Sequence, residues 1–196
     1  MQPIQRREQI LLHAARLFGK RGYHAVSISD IIQAAGIARG TFYTYFGNKR
    51  AIFAELLDML VVRIKSRIKK VDVSPGAASV QAQLVDNLTA VIDLLLKDRA
   101  LLSILLEGAV GLDKGFAGKL AAFYEQIAGT IAESLELGCR MGLIRCCDTR
   151  LAALAAVGAL KEVLHDALRT EKDLDDFEAV ASGLLDIYLS GVAVSR

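Results

Sequence analysis

Apolar residues recur every three to four positions along almost the whole chain, and this spacing constrains the fold more than any other feature. It is the period of an α-helix that buries one face, as in the run Leu11, Ala14 and Phe18. The alternation of apolar and polar residues that is typical of strands is absent from the sequence. The only two prolines, Pro3 and Pro75, stand where helices can begin. We therefore predict an all-α fold.

The start of the chain divides into short helices separated by capping residues and glycines. Ser27 and Asp30 have the spacing of a capping box at a helix N-terminus, Gly36 fits a turn, and Asn48 is suited to cap a longer helix. We expect three short helices and then a long one, over residues 3–20, 27–35, 38–45 and from 49 onward. The apolar stripe of the fourth helix comprises Phe53, Leu57, Leu60, Ile64 and Ile68.

Ser74-Pro75-Gly76 is the clearest boundary in the rest of the chain. Serine is a favoured cap and proline is favoured in the first turn of a helix, so we expect a fifth helix to begin at Pro75. The apolar spacing predicts the remaining helices near residues 75–97, 99–110, 113–141, 148–170 and 173–193.

Charge is distributed unevenly along the sequence. Residues 1–70 carry 13 Lys and Arg against 4 Asp and Glu, a net charge of +9, whereas residues 71–196 carry 11 against 18, a net charge of −7. A basic head on an acidic body is expected when only the head meets a polyanion, although helices also differ in charge by chance. A protein that coats nucleic acid without specificity would instead be basic throughout. An all-helical enzyme would need a converging acid–base or metal-binding set, and the sequence shows none.

The sequence also favours a cytoplasmic protein without a membrane span, metal or cofactor. Arginines and lysines interrupt the opening where a signal peptide would be apolar, and charges break the other apolar stretches before the roughly 18 residues that a membrane span needs. The three cysteines are an odd number, and Cys146 and Cys147 are adjacent, so we expect reduced thiols.

Residues 27–46 have the anatomy of a helix-turn-helix, with two short helices joined at Gly36. On a helical wheel Ala38, Phe42 and Phe46 share the inward face. The opposite face is expected to present the following residues to a DNA groove: Arg39, Gly40, Tyr43 and Thr44. Glycine lets the backbone approach closely, and an arginine at the edge reaches guanine or a phosphate. An ordinary helical corner with a tyrosine on its surface would give the same pattern.

The chain resembles the TetR (tetracycline-repressor) family over roughly residues 5–55. Residues 17–28 read Leu-Phe-Gly-Lys-Arg-Gly-Tyr-His-Ala-Val-Ser-Ile, and residues 34–53 read Ala-Ala-Gly-Ile-Ala-Arg-Gly-Thr-Phe-Tyr-Thr-Tyr-Phe-Gly-Asn-Lys-Arg-Ala-Ile-Phe. The resemblance implies a three-helix DNA-binding head over residues 1–47. It also implies a linker helix and an all-helical ligand-binding and dimerisation domain over residues 48–196. The implied function is a homodimeric repressor released from a palindromic operator by a small molecule.

The resemblance also assigns roles within the head. It places Ser27, Thr41, Tyr45 and Lys49 on phosphate contacts, and the groove-facing residues above on base or backbone contacts. Relatives often carry His at the site of Tyr45, so that contact is expected to differ in detail. Lys49 lies in the first turn of a helix, where a cation opposes the helix dipole, and a nearby phosphate would offset this small cost. The alternative for Lys49 is a solvated lysine.

An apolar or amphipathic effector is expected to bind between the helices of residues 80–165. Residues 100–112 are apolar except for Ser103 and Glu107. An inward Glu107 would favour a cationic ligand, and an outward one would favour a neutral or fatty ligand such as an acyl chain. The candidate pocket residues are Leu88, Ile92, Leu105, Glu107, Phe123, Tyr124 and Ile127. A filled helical core is the alternative for each of them.

The last two helices are candidates for the dimer interface. The helix near 148–170 is dominated by alanine and glycine, which permit close helix approach, and the helix near 173–193 is apolar. The resemblance implies that these helices pair with those of a second copy. Tight packing within one chain would give the same composition.

Overall fold

The computed structural model describes residues 3–97, 102–103, 105–106, 114–145, 148–170 and 176–192. Within these ranges the protein forms eight continuous α-helices and no strand, which confirms the predicted all-α fold. The helices are α1 (Pro3–Arg21), α2 (Ile28–Ala35), α3 (Arg39–Tyr45), α4 (Lys49–Arg67), α5 (Val80–Lys97), α6 (Lys114–Arg140), α7 (Thr149–Arg169) and α8 (Phe177–Val192). The helix predicted over residues 99–110 lies largely outside the described residues, although 102–103 and 105–106 are helical.

The chain divides into two compact units. Unit 1 contains residues 3–62 and the described residues between 98 and 121, and unit 2 contains residues 63–97 and the described residues from 122 onward. The division falls within α4 and within α6. The domain boundary expected after residue 47 stays a prediction.

Local sequence signals set the ends of the short helices. Ser27 caps α2: its Oγ accepts from the Asp30 amide at 3.1 Å, and the Asp30 carboxylate accepts from the Ser27 amide at 2.7 Å. The hydrogen bonds from Ser27 hold the pKa of the Asp30 carboxyl below its usual value. Gly36 ends α2 in the left-handed conformation at φ 61°. Asn48 precedes α4 and accepts from the Ala51 amide at 2.9 Å. The predicted capping box and the predicted Asn48 cap are both confirmed.

The helix start predicted at Pro75 is wrong. Residues 74–77 form a turn closed by a 3.1 Å hydrogen bond from the Ala77 amide to the Ser74 carbonyl, with Gly76 at φ 89°. The left-handed glycine interrupts the chain, and α5 begins at Val80 after Ser79, whose Oγ accepts from the Ala82 amide at 3.1 Å. At Pro75 and Gly76, the preference of proline and glycine for turns therefore prevails over the preference of proline for the start of a helix.

Aromatic and aliphatic side chains fill the interior of unit 1. The largest fully buried ones are Phe18, Phe42, Phe46, Phe53, Ile10, Ile31 and Ile52. Ala38 is exposed rather than inward-facing, because it is the extended N-cap of α3 and its side chain precedes the helical register. Ile68 is also exposed, because α4 ends at Arg67 and the apolar stripe stops one turn earlier, at Ile64.

Small side chains let the helices of unit 2 approach closely. Ala128 and Ala132 of α6 pack against Ala153 of α7, and all three are buried. Helix α5 packs along α8, and the Gln81 amide donates to the Asp186 carboxylate at 2.8 Å between them. Small residues of α7 therefore serve packing within the chain at Ala153.

Candidate nucleic-acid interface

Helices α2 and α3 form a helix-turn-helix whose bend is set by Gly36. The left-handed turn carries two hydrogen bonds back to α2, from the Gly36 amide to the Gln33 carbonyl and from the Ile37 amide to the Ile32 carbonyl, both at 3.2 Å. Ile31 of α2 and Phe42 of α3 are fully buried. The turn and the burial of these two side chains leave the opposite face of α3 outward.

Two side chains of α1 contact the ends of the helix-turn-helix: Arg7, which is paired with Glu55 of α4, contacts the end of α3, and Gln9 contacts the end of α2. The Arg7 guanidinium binds the Glu55 carboxylate through two nitrogens, with the Nε–Oε1 pair at 2.8 Å. It also donates to the Tyr45 carbonyl at the end of α3, at 3.2 Å, and its Cζ lies 4.6 Å from the centroid of the Phe46 ring. On the other side, the Gln9 side chain donates to the Ala35 carbonyl at the end of α2, at 3.0 Å.

Sequence reasoning missed these contacts of Arg7 and Gln9. Arg7 and Glu55 lie 48 positions apart, and Gln9 and Ala35 lie 26 apart. No local spacing signals such pairs, so only the folded chain reveals them.

The structure brings the predicted groove-facing residues together on one exposed face of α3. Arg39, Gly40, Tyr43 and Thr44 are exposed, whereas Thr41 is half-buried beside them. The Arg39 guanidinium lies 5.6 Å from the Tyr43 ring centroid, so the two side chains share one surface. Thr44 Oγ1 donates to the Gly40 carbonyl at 3.1 Å, and a Cβ added at Gly40 would meet no atom within 4 Å. The face is therefore flat at Gly40 and polar around it.

The four predicted phosphate contacts have different surroundings. Ser27 is exposed at the α2 N-terminus, and Thr41 and Tyr45 are half-buried. Lys49 is half-buried, and its Nζ lies 2.7 Å from both the Tyr23 and the Val26 carbonyl oxygens. Lys49 is therefore not the solvated lysine considered as the alternative, and the phosphate contacts of all four residues stay predictions.

The predicted effector-pocket residues fall into both units. Leu105 is buried in unit 1. Those in unit 2 are the buried Ile92 and Phe123 and the half-buried Leu88, Tyr124 and Ile127. Burial raises the pKa of the Tyr124 hydroxyl to about 12, and the Lys161 ammonium lies 5.3 Å from the centroid of its ring. Glu107 lies outside the described residues, so its predicted direction stays open.

Two kinds of feature are absent from the part of the chain that the structure describes. No helix there is long and apolar enough to cross a membrane. No group of three or more His, Cys, Asp or Glu side chains in it is placed to hold a metal ion. Cys139 is a half-buried free thiol, and Cys146 and Cys147 lie outside the described residues.

Known proteins share both the head and the fold of this chain. Residues 10–56 match the family described as bacterial regulatory proteins, tetR family. An uncharacterised HTH-type transcriptional regulator of Bacillus subtilis, YdgC, is 39% identical over 67 residues, which span 34% of this chain but only 32% of that relative.

Other matches extend over nearly the whole chain. The fatty acid metabolism regulator protein of Bacillus subtilis is 25% identical over 193 residues, which cover 94% of each protein. The crystal structure of the transcriptional regulator FadR from Bacillus subtilis in complex with stearoyl-CoA is 24% identical and superposes with a TM-score of 0.78, covering 94% of this chain and 98% of that one. Residues 10–56 are therefore similar to the DNA-binding head of the tetR family of bacterial regulatory proteins, and the fold that continues beyond them is similar to that of a known transcriptional regulator.

Proposed function

We propose that this protein is a cytoplasmic, homodimeric transcriptional repressor that an amphipathic molecule with an acyl chain releases from a palindromic operator. The observation that carries the proposal is the exposed face of α3, which presents Arg39, Gly40, Tyr43 and Thr44 on a helix that α1, α2 and α4 hold in place.

This face has the chemistry of major-groove readout. Arginine donates to guanine O6 and N7, and hydroxyl and methyl groups such as those of Tyr43 and Thr44 contact base edges and thymine methyls. Gly40 adds no side chain where the helix would lie closest to the bases. The net charge of +9 over residues 1–70 supplies the attraction to phosphates that makes binding strong and dependent on salt.

An apolar face on α7 and α8 supports the homodimer. Ala153 packs within unit 2, but another side of α7 leaves Leu151, Leu154 and Gly158 exposed at helical spacing. On α8, Ile187 is 78% exposed. Large exposed apolar faces usually mark interfaces, and glycine permits the close helix approach of a four-helix interface. A two-fold dimer would present two α3 helices to half-sites roughly 34–36 Å apart on one side of the DNA.

The choice of effector rests on the relatives and on the interior of unit 2. One relative is a fatty acid metabolism regulator, and one structural neighbour was solved with stearoyl-CoA. Ile92 and Phe123 supply buried apolar surface of the kind that lines acyl-chain sites. A lipophilic cation is the second candidate, favoured if Glu107 faces inward. Either effector must prefer the conformation that does not fit the operator, since equal affinity for both shifts nothing.

The DNA proposal is tested with a duplex that the wild-type protein selects from a randomised library. Arg39→Ala should weaken binding to this duplex by about 5–150-fold, the equivalent of 1–3 kcal/mol for a good base contact, and relax the base preference. Arg16→Ala is the matched control, because it removes the same charge from an exposed site on α1. Equal losses for the two variants would show that α3 contributes charge and no sequence readout.

The effector and the dimer need separate measurements. Stearoyl-CoA should weaken binding to the selected duplex, with a coupling of about 1–3 kcal/mol, whereas CoA alone should not. A compound that binds but leaves duplex affinity unchanged within about twofold is not the effector.

Light scattering at micromolar concentration should show a dimer, and Leu154→Glu should shift it towards monomer. A monomeric wild-type protein would contradict the proposal.

A further inference from the structure

The Lys49 ammonium contacts three backbone carbonyl oxygens of the loop between α1 and α2. Its Nζ is 2.7 Å from the Tyr23 oxygen, 2.7 Å from the Val26 oxygen and 3.5 Å from the His24 oxygen. It also lies 4.3 Å from the centroid of the Tyr23 ring. An ammonium has three N–H donors, so the loop between α1 and α2 engages all of them.

The loop that receives Lys49 is held on its other side by the core of unit 1. The Tyr23 ring lies 5.2 Å from the Phe18 ring and 5.5 Å from the Phe53 ring, between centroids. Val26 is 1% exposed. Residue 26 directly precedes Ser27, the N-cap of α2, so Lys49 joins the first turn of α4 to the start of α2.

These contacts bear on how Lys49 contributes to DNA binding. A direct phosphate contact would have to replace one of these three contacts, two of which are short hydrogen bonds of 2.7 Å. Partial burial of the ammonium lowers the pKa of Lys49. The carbonyl oxygens also offset the unfavourable position of a cation at the N-terminus of α4.

We propose that Lys49 is a positioning residue, which holds residues 23–26 so that Ser27 and the N-terminus of α2 meet the operator backbone, and that it does not itself bind a phosphate. The inference rests on the proposed DNA-binding function. It differs from the role that the family resemblance implies, in which the Lys49 ammonium neutralises a phosphate.

The dependence of affinity on salt separates the two roles. The probe is the duplex selected by the wild-type protein, titrated at several NaCl concentrations. Lys49→Met should weaken binding at least fivefold and leave the slope of log affinity against log salt unchanged. Lys20→Met, an exposed lysine at the end of α1, is the matched control for loss of one charge. A slope that falls by about 1 in Lys49→Met alone would identify a direct phosphate contact and overturn the proposal.

Amide hydrogen exchange tests the positioning itself, without DNA. Lys49→Met should speed exchange at Ser27 and Asp30, whose amides form the capping box, more than at the buried Phe42 of α3. Unchanged exchange at the capping box would overturn the proposal. If the wild-type protein selects no duplex, the DNA-binding function fails, and this measurement still decides whether Lys49 orders the loop.

A double-mutant cycle distinguishes positioning from general support of the fold. Ser27→Ala removes the residue through which Lys49 acts. Adding Lys49→Met to this variant should therefore weaken duplex binding by less than about a further threefold. If the losses of duplex affinity in the two single variants instead multiply in the double variant, and each loss is proportional to that variant's fall in Tm, then Lys49 only stabilises unit 1. Should Lys49→Met fail to fold, the ammonium resonances of wild-type Lys49 remain decisive, since they should keep their shifts when the selected duplex is added.

Discussion

Gly36 and Gly40 lie four residues apart in the helix-turn-helix, yet alanine should have opposite effects at the two positions. Gly36 has φ 61° and ψ 40°, the left-handed conformation that a Cβ disfavours. Gly40 lies in the first turn of α3, where alanine is the better helix former. A Cβ would meet no atom within 4 Å at either position, so backbone conformation alone sets the two effects on stability.

The magnitudes follow from conformational preferences. Gly36→Ala should destabilise the protein by about 1–2 kcal/mol, the usual cost of placing an L-residue in the left-handed region. For a protein of this size that is a fall in Tm of about 2–8 °C. Gly40→Ala should stabilise it by about 0.5–1 kcal/mol, a rise of about 1–4 °C.

DNA binding should reverse the order of the two variants. A methyl group at Gly40 lies on the face proposed to enter the groove, so Gly40→Ala should weaken binding to the selected duplex by at least about fivefold, or 1 kcal/mol. Gly36→Ala should bind within about threefold of wild type below its Tm, since Gly36 lies at the bend behind that face. Gly36→Asn is the control, because asparagine tolerates the left-handed region and should recover part of the lost stability.

Thermal unfolding measures the effect of each variant on stability, and duplex titration measures its effect on DNA binding. Equal destabilisation by both alanines would refute the conformational argument. Unchanged binding by Gly40→Ala would refute the close approach of α3 to the bases.

Three further predictions concern side chains that stabilise unit 1 or unit 2 internally. Glu55→Gln should lower stability by up to about 1 kcal/mol, because its ion pair with Arg7 is partly exposed, and the difference from wild type should shrink in 1 M NaCl; an effect that salt leaves unchanged would contradict an ionic origin. Because folding lowers the pKa of Asp30, the ionised carboxylate stabilises α2 fully above its unfolded pKa, and this contribution is lost as the pH falls through the folded pKa. Acid unfolding of Asp30→Asn should therefore show a weaker dependence on pH than wild type, and identical pH profiles would exclude this role. Asn87→Ala should destabilise unit 2 by about 1–3 kcal/mol in urea titrations, because the buried amide donates to and accepts from the Lys69 backbone at 2.8 Å; a loss well below 1 kcal/mol would mean that water replaces both bonds.

The sequence by itself determined the features that depend on neighbouring residues. The 3.6-residue period predicted the all-α fold, and the spacing of Ser27 to Asp30 predicted the capping box at the start of α2. The outward face of α3 also followed from periodicity, because residues four apart in a helix share a side. Where two local rules competed, at Pro75 and Gly76, the sequence did not show which would prevail.

Only the tertiary structure decided which distant groups meet. The Arg7–Glu55 pair joins residues 48 positions apart, and the Lys49 ammonium meets carbonyls 23–26 positions away, so neither contact leaves a trace in local spacing. The small residues of α7 were ambiguous for the same reason, since composition does not say which side a helix buries. Packing placed Ala153 inside unit 2 and left Gly158 exposed, because a helix can press only one of its faces against a given neighbour.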